Sequence, residues 1–488
     1  MTHALSRRGF LAASAALSGT AFLPAWAQGA PLTLRATTRT IDIDGRAATV
    51  FGLINGAGGS GLILNPGERF LVDLSNDLDV ETIIHWHGQL PPNAQDGVPN
   101  TNAMLALGET RSYDFAPLVG THWMHAHVPT HEMRLLAAPL IVRSAADLTA
   151  DRQEVVMFLH DFSFRSAEEV LAEITGSGSQ GSDTAPAAGM QGMDMGNMAG
   201  MDHSKMGDMA GMMAGMAMDL NDFNFDAYLA NDRTLSDPEV VAVENGGRVR
   251  LRIVNASAAT TFWIDTGALN GRLVAVDGHA VQPLNGRRFG AAMAQRLDIE
   301  LDLPAGATVF PILALREGAR ERTGIILAAP GAVVARLEGL GDTPHPAFDT
   351  DLAQESALHA VTPLASRAVD RAEMVMLSGS MQPYVWEING KTWGNHQPIT
   401  ATSGQRVELM FHNMSMMAHP MHLHGHVFQV VAIGNQRFAG AMRDTVYVPP
   451  MASVTIAIDA GEAARWMLHC HHMAHLASGM MTEFAVSA

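Results

Sequence analysis

Gly404-Gln405-Arg406-Val407-Glu408-Leu409-Met410-Phe411-His412-Asn413 begins on a turn-forming Gly, ends on Asn and is rich in apolar side chains between them. Two earlier stretches share the pattern: Gly67-Glu-Arg-Phe-Leu-Val-Asp-Leu-Ser-Asn76 and Gly246-Gly-Arg-Val-Arg-Leu-Arg-Ile-Val-Asn255. In the middle copy Val249, Leu251 and Ile253 alternate with arginines, the period-two signature of a half-buried strand. The copies start 179 and 158 residues apart, too far for a solenoid repeat and right for whole domains. Short β-rich runs broken by Gly, Pro, Asn and Asp surround them, and helical periodicity is scarce. The expected fold is all-β, with three β-sandwich domains at 30–145, 150–330 and 361–488 and a linker at 331–360.

Composition narrows the function. The chain has 488 residues, 47% hydrophobic and 16% charged, enough apolar material for several cores. Its net charge of −18 repels phosphates, so no nucleic-acid partner is expected. One Cys excludes an internal disulfide and any multi-Cys zinc or iron–sulfur site. Ser6-Arg7-Arg8-Gly9-Phe10-Leu11 is a twin-arginine pattern, followed by a moderately apolar stretch and Ala25-Trp26-Ala27, an A-x-A cleavage signal. Residues 1–27 therefore read as a signal peptide for the twin-arginine (Tat) export machinery. Its removal takes away two Arg and no acid, leaving −20. No other apolar run is long enough to span a bilayer, so the expected mature chain is a soluble periplasmic monomer. In that oxidising space a lone Cys is either deeply buried or bound to metal.

Histidines follow the first and third repeats and not the second, where Thr261-Phe262-Trp263-Ile264-Asp265 stands instead. The groups are His85-Trp-His87, His125-Ala-His127, His419-Pro-Met-His422-Leu-His424, and His469-Cys470-His471 with His475 and Met480 beyond. A second echo pairs Trp123-Met-His-Ala-His127 with Trp466-Met-Leu-His-Cys-His471. On a strand, alternate residues share a face, so each His-x-His presents two imidazoles together. Four such pairs can converge on one interdomain cluster of eight. Cys470 then points away from His469 and His471, toward a different metal, while peptide bonds join it to both. Cys470, His419 and His475 with a weak axial Met480 are the ligand set of a blue-copper electron-transfer site. Zinc accepts such ligands but does no redox chemistry.

These motifs resemble those of the multicopper oxidases, over nearly all of the mature chain. The resemblance implies three cupredoxin-like Greek-key domains, four copper ions, and one-electron oxidation of a reductant coupled to four-electron reduction of O2 to water. It implies a type 1 copper on Cys470, His419, His475 and Met480. It implies a type 2 copper on His85 and His422, and two type 3 coppers, one on His87, His125 and His471, the other on His127, His424 and His469. His122, His131, His426 and His472 match no ligand position. Asp96 matches an acid that in the family lies near the three-copper cluster, where it would relay protons; alone, Asp96-Gly97 also reads as a turn. Copper-efflux members carry an acid directly after the second type 1 His, where this chain has Leu476, so a second proton route needs another group.

The methionines are the remaining anomaly, 31 in all. Met190, Met193, Met195, Met198, Met201, Met206, Met209, Met212, Met213, Met216 and Met218 lie in one Gly-, Asp- and Ala-rich tract inside the second domain. Frequent Gly argues against a helix and the lack of β-branched residues against a strand, so disorder is expected without ligand. A plain linker is one reading; capture of additional Cu(I) by soft thioethers is the sharper one. Copper-efflux oxidases also carry Met-rich insertions, typically nearer the third domain. They hold substrate Cu(I) with an acid and a Met just before the first type 1 His; here Met416 and Met417 are present, but Ser415 replaces the acid. The expected function is a periplasmic cuprous oxidase in copper tolerance. The alternatives are a laccase-like oxidase of phenols or aryl amines and a non-catalytic copper-storage or delivery protein.

Overall fold

The computed structural model describes residues 30–176, 220–348 and 351–488. The expected signal peptide and the eleven methionines from Met190 to Met218 lie outside the described residues.

The three repeats are strands that occupy one position in three similar frameworks. Phe70–Asn76 pairs in parallel with Leu32–Ile43 and antiparallel with Thr110–Phe115. Arg248–Asn255 stands in the same way between Gln153–Phe162 and Arg296–Asp302, and Arg406–Asn413 between Arg371–Met381 and Ser453–Asp459. Each framework adds a second sheet, and buried side chains of both sheets fill one core between them. Alternation along the strands supplies that core, as with Val407, Leu409 and Phe411, which are fully buried.

The Asn that ends each repeat has a physical reason. Asn76, Asn255 and Asn413 are all fully buried. Their Nδ2 groups donate to backbone carbonyls of the following loop and of a neighbouring segment: Val80 and Leu105 at 2.8 and 3.0 Å, Thr260 and Ala291 both at 2.9 Å, Met417 and Pro449 at 2.8 and 2.9 Å. Each Oδ1 accepts the N–H two residues on, from Leu78, Ser257 and Ser415. One side chain thus satisfies a buried turn that has left the ladder. In the third sandwich that turn leads into the strand His419–Leu423.

The segment 331–360, expected to be a linker with little regular pattern, carries a short helix, Ala353–Ala357. It also supplies Phe348, whose ring meets Trp263 of the second sandwich at 5.3 Å and Tyr447 of the third at 4.6 Å. Five helical residues are too few to show a 3.6-residue period in sequence.

Candidate copper centre

Two strands of the first sandwich, Ile84–His87 and Gly120–Ala126, pair with His85 opposite His125. Two of the third, His419–Leu423 and Arg465–Cys470, pair with His422 opposite His469 and Met421 opposite Cys470. The faces so defined meet, and all eight paired imidazoles are buried in one cluster.

Within it, nitrogen faces nitrogen. His85 Nε2 is 3.4 Å from His422 Nε2, and His469 Nε2 lies 3.0 and 3.3 Å from Nε2 of His424 and His127. The opposite ring nitrogens are engaged elsewhere. His85 Nδ1 donates to the Asp96 carbonyl at 2.8 Å, His422 Nδ1 to the Asp444 carbonyl at 2.8 Å, His424 Nδ1 to Asp96 Oδ2 at 3.0 Å and His469 Nδ1 to the Cys470 carbonyl at 3.0 Å. The converging nitrogens therefore present lone pairs to one another in a site without water contact, an arrangement that a cation stabilises. A third set has unpartnered buried nitrogens: His87 Nδ1, His125 Nε2 and His471 Nε2, on rings 5.0 to 5.6 Å apart. Burial first, and neighbouring imidazoles after it, push His87, His125, His127, His422, His424 and His471 well below the usual histidine range. The rings are accordingly neutral, as metal ligands must be.

Cys470 lies on the other face. Its Sγ is 3.7 Å from His419 Nδ1 and 3.5 Å from His475 Nδ1, and those two nitrogens are 3.2 Å apart. Met480 is fully buried and held beside them by two backbone bonds, Cys470 N–H to its carbonyl at 3.1 Å and its own N–H to the His475 carbonyl at 3.0 Å. Burial pushes the Cys470 thiol up, so only a bound cation makes it a thiolate at neutral pH. A thiolate, two imidazoles and a thioether are soft and borderline donors suited to copper.

Carboxylates that sequence spacing did not single out hold these rings. Glu132, in the short helix Pro129–Met133, accepts from His125 Nδ1 at 2.7 Å and is 3.9 Å from His471 Nδ1. Asp444 accepts from His87 Nε2 at 3.0 Å and is paired with the buried Arg296. Asp222, from the second sandwich, faces His475 Nε2 at 3.5 Å and His472 Nε2 at 3.6 Å and accepts the Tyr384 hydroxyl. Burial raises the Asp222 carboxyl, but His472, His475 and Tyr384 outweigh it and hold it below the usual range. Ser415 Oγ accepts from His419 Nε2 at 2.9 Å and donates a hydrogen bond to Asn413 Oδ1 at 2.8 Å. Asp96 lies among the clustered rings. Met416 is half exposed, whereas Met417 is packed into the core with Cys470 and Met480. Of the histidines without a ligand position, His472 stacks on His475 at 4.0 Å and His426 accepts the Gly461 N–H at 3.0 Å.

Sequence models described as multicopper oxidase match residues 35–147, 155–329 and 368–488. The chain is 28% identical to the multicopper oxidase MmcO of Mycobacterium tuberculosis, with 98% of this chain and 96% of that protein covered. It is 24% identical to copper resistance protein A of Escherichia coli, covering 94% and 93%. The crystal structure of laccase from Botrytis aclada has the same fold, with a TM-score of 0.71 at 21% identity over 93% of this chain and 87% of that one. With the three sandwiches and the buried histidine cluster between the outer two, these matches mean that the chain belongs to the multicopper oxidase family, an oxidoreductase family whose members hold copper ions.

Proposed function

We propose that this chain is an exported cuprous oxidase of the periplasm that serves copper tolerance by taking electrons from Cu(I) and passing them to O2, which becomes water. Four copper ions are assigned. A type 1 ion would be held by Cys470, His419, His475 and Met480. The type 2 ion belongs to His85 and His422. The type 3 pair belongs to His87, His125 and His471, and to His127, His424 and His469. Bound copper supplies one-electron transfer at the Cys470 site and dioxygen reduction at the histidine cluster.

The protein's own residues do the rest. Cys470 is joined by single peptide bonds to His469 and His471, which gives a covalent path between the two sites. Asp96 accepts from His424 Nδ1 and offers its carbonyl to His85, so its carboxylate is placed to hold a proton at the edge of the cluster. Glu132, Asp444 and Ser415 fix ring tautomers and orientation.

The observation that carries the cuprous reading is Asp222. This residue follows the last methionine of the tract, Met218, by four positions, and its carboxylate faces His475. The segment that follows the thioether run in sequence thus meets His475 of the Cys470 site. That a similar protein is called copper resistance protein A agrees with this choice. The test is oxygen uptake driven by Cu(I) in a variant lacking residues 180–218, with copper content measured alongside. Cu(I)-driven uptake should fall while the resident copper stays and phenol oxidation persists. Unchanged Cu(I) kinetics would remove the tract from the mechanism. Vigorous phenol oxidation without any Cu(I) oxidation would favour the laccase-like alternative.

A further inference from the structure

The outer sheet of the third sandwich has an unusual solvent face. Along Arg371–Met381 and Arg406–Asn413, Val375, Leu377, Leu409 and Phe411 point inward and are fully buried. Their alternates face out, and several of these are methionines: Met374 is 52% and Met376 40% exposed, and Met410 is partly exposed. Strand register sets Met374 beside Met410 and Met376 beside His412, and His412 beside Ser453. Met451, 64% exposed, stands two residues before Ser453. From Arg371 to the C-terminus every large apolar side chain that is exposed is a methionine. Outward sheet positions usually carry polar groups. Core packing alone does not call for methionine here, because Met374, Met376 and Met451 stand 40% to 64% exposed.

What a thioether has and a leucine lacks is a soft donor that prefers Cu(I) and Ag(I) to harder ions. Met374, Met410, His412 and Met451 line one surface cavity of about 530 Å³, with Asp351 and Asn435 on its wall. Neighbouring strands lie about 5 Å apart, and methionine's three rotatable bonds allow their sulfurs to converge. His412 uses Nδ1 toward Ser453 Oγ at 2.7 Å, which leaves Nε2 for a ligand. Asp351 adds a carboxylate to balance a cation.

We propose that this cavity is a binding site for Cu(I), formed by the thioethers of Met374, Met410 and Met451 and the imidazole of His412, and separate from the Met-rich tract. It adjoins the Cys470 site through one loop. Met451 N–H donates to the Ser415 carbonyl at 3.3 Å, and Ser415 Oγ accepts from His419 Nε2 at 2.9 Å. The site follows from the donor set; its use in supplying electrons rests on the cuprous reading above.

The test uses the copper-loaded full chain with methyl-labelled methionine and Ag(I), which has the softness of Cu(I) and is not oxidised by the enzyme. The methyl signals of Met374, Met410 and Met451 should shift with the first equivalents of Ag(I). Calorimetry of the Met374→Leu/Met410→Leu double variant should show one equivalent lost, or weakened by about tenfold or more. Leucine keeps the apolar surface and removes the sulfur, so a face that only docks another protein would be untouched by the change. Methyl signals that stay unmoved, or a double variant that keeps the full stoichiometry, would overturn the site. Ag(I) binding here without Cu(I)-driven oxygen uptake would uphold the site and sink the cuprous function instead.

Discussion

Replacing Glu317 with Gln should remove a pH dependence that the native chain carries. Glu317 is buried, 5% exposed, and its Oε2 accepts the Phe348 N–H at 2.8 Å. Phe348 is the ring that fills the junction between Trp263 and Tyr447, and Tyr447 lies on the strand paired with His419–Leu423. Burial pushes the Glu317 carboxyl from 4.5 up to about 7, against smaller opposing effects of the Phe348 N–H, Thr261 and Arg316. The folded chain therefore holds this proton more tightly than the unfolded chain. The stability it contributes is complete below pH 4.5 and is lost as pH rises through about 7. A shift of that size corresponds to at most about 3 kcal/mol at 1.36 kcal/mol per unit, of which about 2 kcal/mol falls between pH 5.5 and 8.0. Gln keeps an acceptor for Phe348 and does not titrate. Guanidinium unfolding of the copper-loaded chain, followed by Trp emission at pH 5.5 and 8.0, should show the native protein losing about 2 kcal/mol more than the variant across that interval. Equal losses, within about 0.5 kcal/mol, would mean that Glu317 binds no extra proton on folding and would refute the reasoning.

Cys470→Ser should abolish the blue colour and nearly all turnover while circular dichroism stays native; retained blue absorption would break the type 1 assignment. Met480→Leu should keep the colour and change the reduction potential measured by spectroelectrochemistry, because a thioether beside the bound copper would tune it. Asp444→Asn should destabilise by about 3 kcal/mol, since it takes from the buried Arg296 the nearer of its two carboxylates and leaves it only Asp277, 3.7 Å away. Copper analysis of the same variant should show metal lost first from the histidine cluster, where Asp444 holds His87.

What the sequence made legible was whatever depends on local period. Three Gly-x-Arg…Asn segments read as strands because alternation is visible within eight residues, and they are strands in equivalent places. His-x-His pairs read as shared faces for the same reason, and Cys470 as the opposite face. What stayed hidden depends on contacts far apart in the chain. Asp222 meets His475 across 253 residues, a distance for which no spacing rule exists. Glu132 follows His125 by seven residues, yet reaches its ring only because the chain turns through Pro129–Met133. Met417 and Met416 looked equivalent as candidates for substrate; the turn pinned by Asn413 sends one into the core and leaves the other half exposed. The segment 331–360 looked featureless because Phe348 and Glu355 act singly, Phe348 between the second and third sandwiches and Glu355 on Arg443 of the third.

The second sandwich brings no histidine to the cluster, yet its residues explain how the cluster stays assembled. The faces that carry the clustered histidines belong to the first and third sandwiches, and imidazoles with facing lone pairs repel one another. Something else must hold the two faces in register. A buried chain of alternating charge crosses the junction: Glu355 to Arg443 at 2.8 Å, Arg443 to Asp277 at 3.0 Å, Asp277 to the Arg296 backbone N–H at 3.0 Å, Arg296 to Asp444, and Asp444 to His87 at 3.0 Å. Arg296 and Asp277 come from the second sandwich, Arg443 and Asp444 from the third, His87 from the first and Glu355 from the connecting segment. Each charge in such a chain is costly to bury unless all its neighbours are in place. Misaligned packings of the three sandwiches would strand at least one of them, whereas apolar faces alone would tolerate sliding. The ion chain thus favours one docking geometry of the three sandwiches and ends on His87, a ring of the cluster.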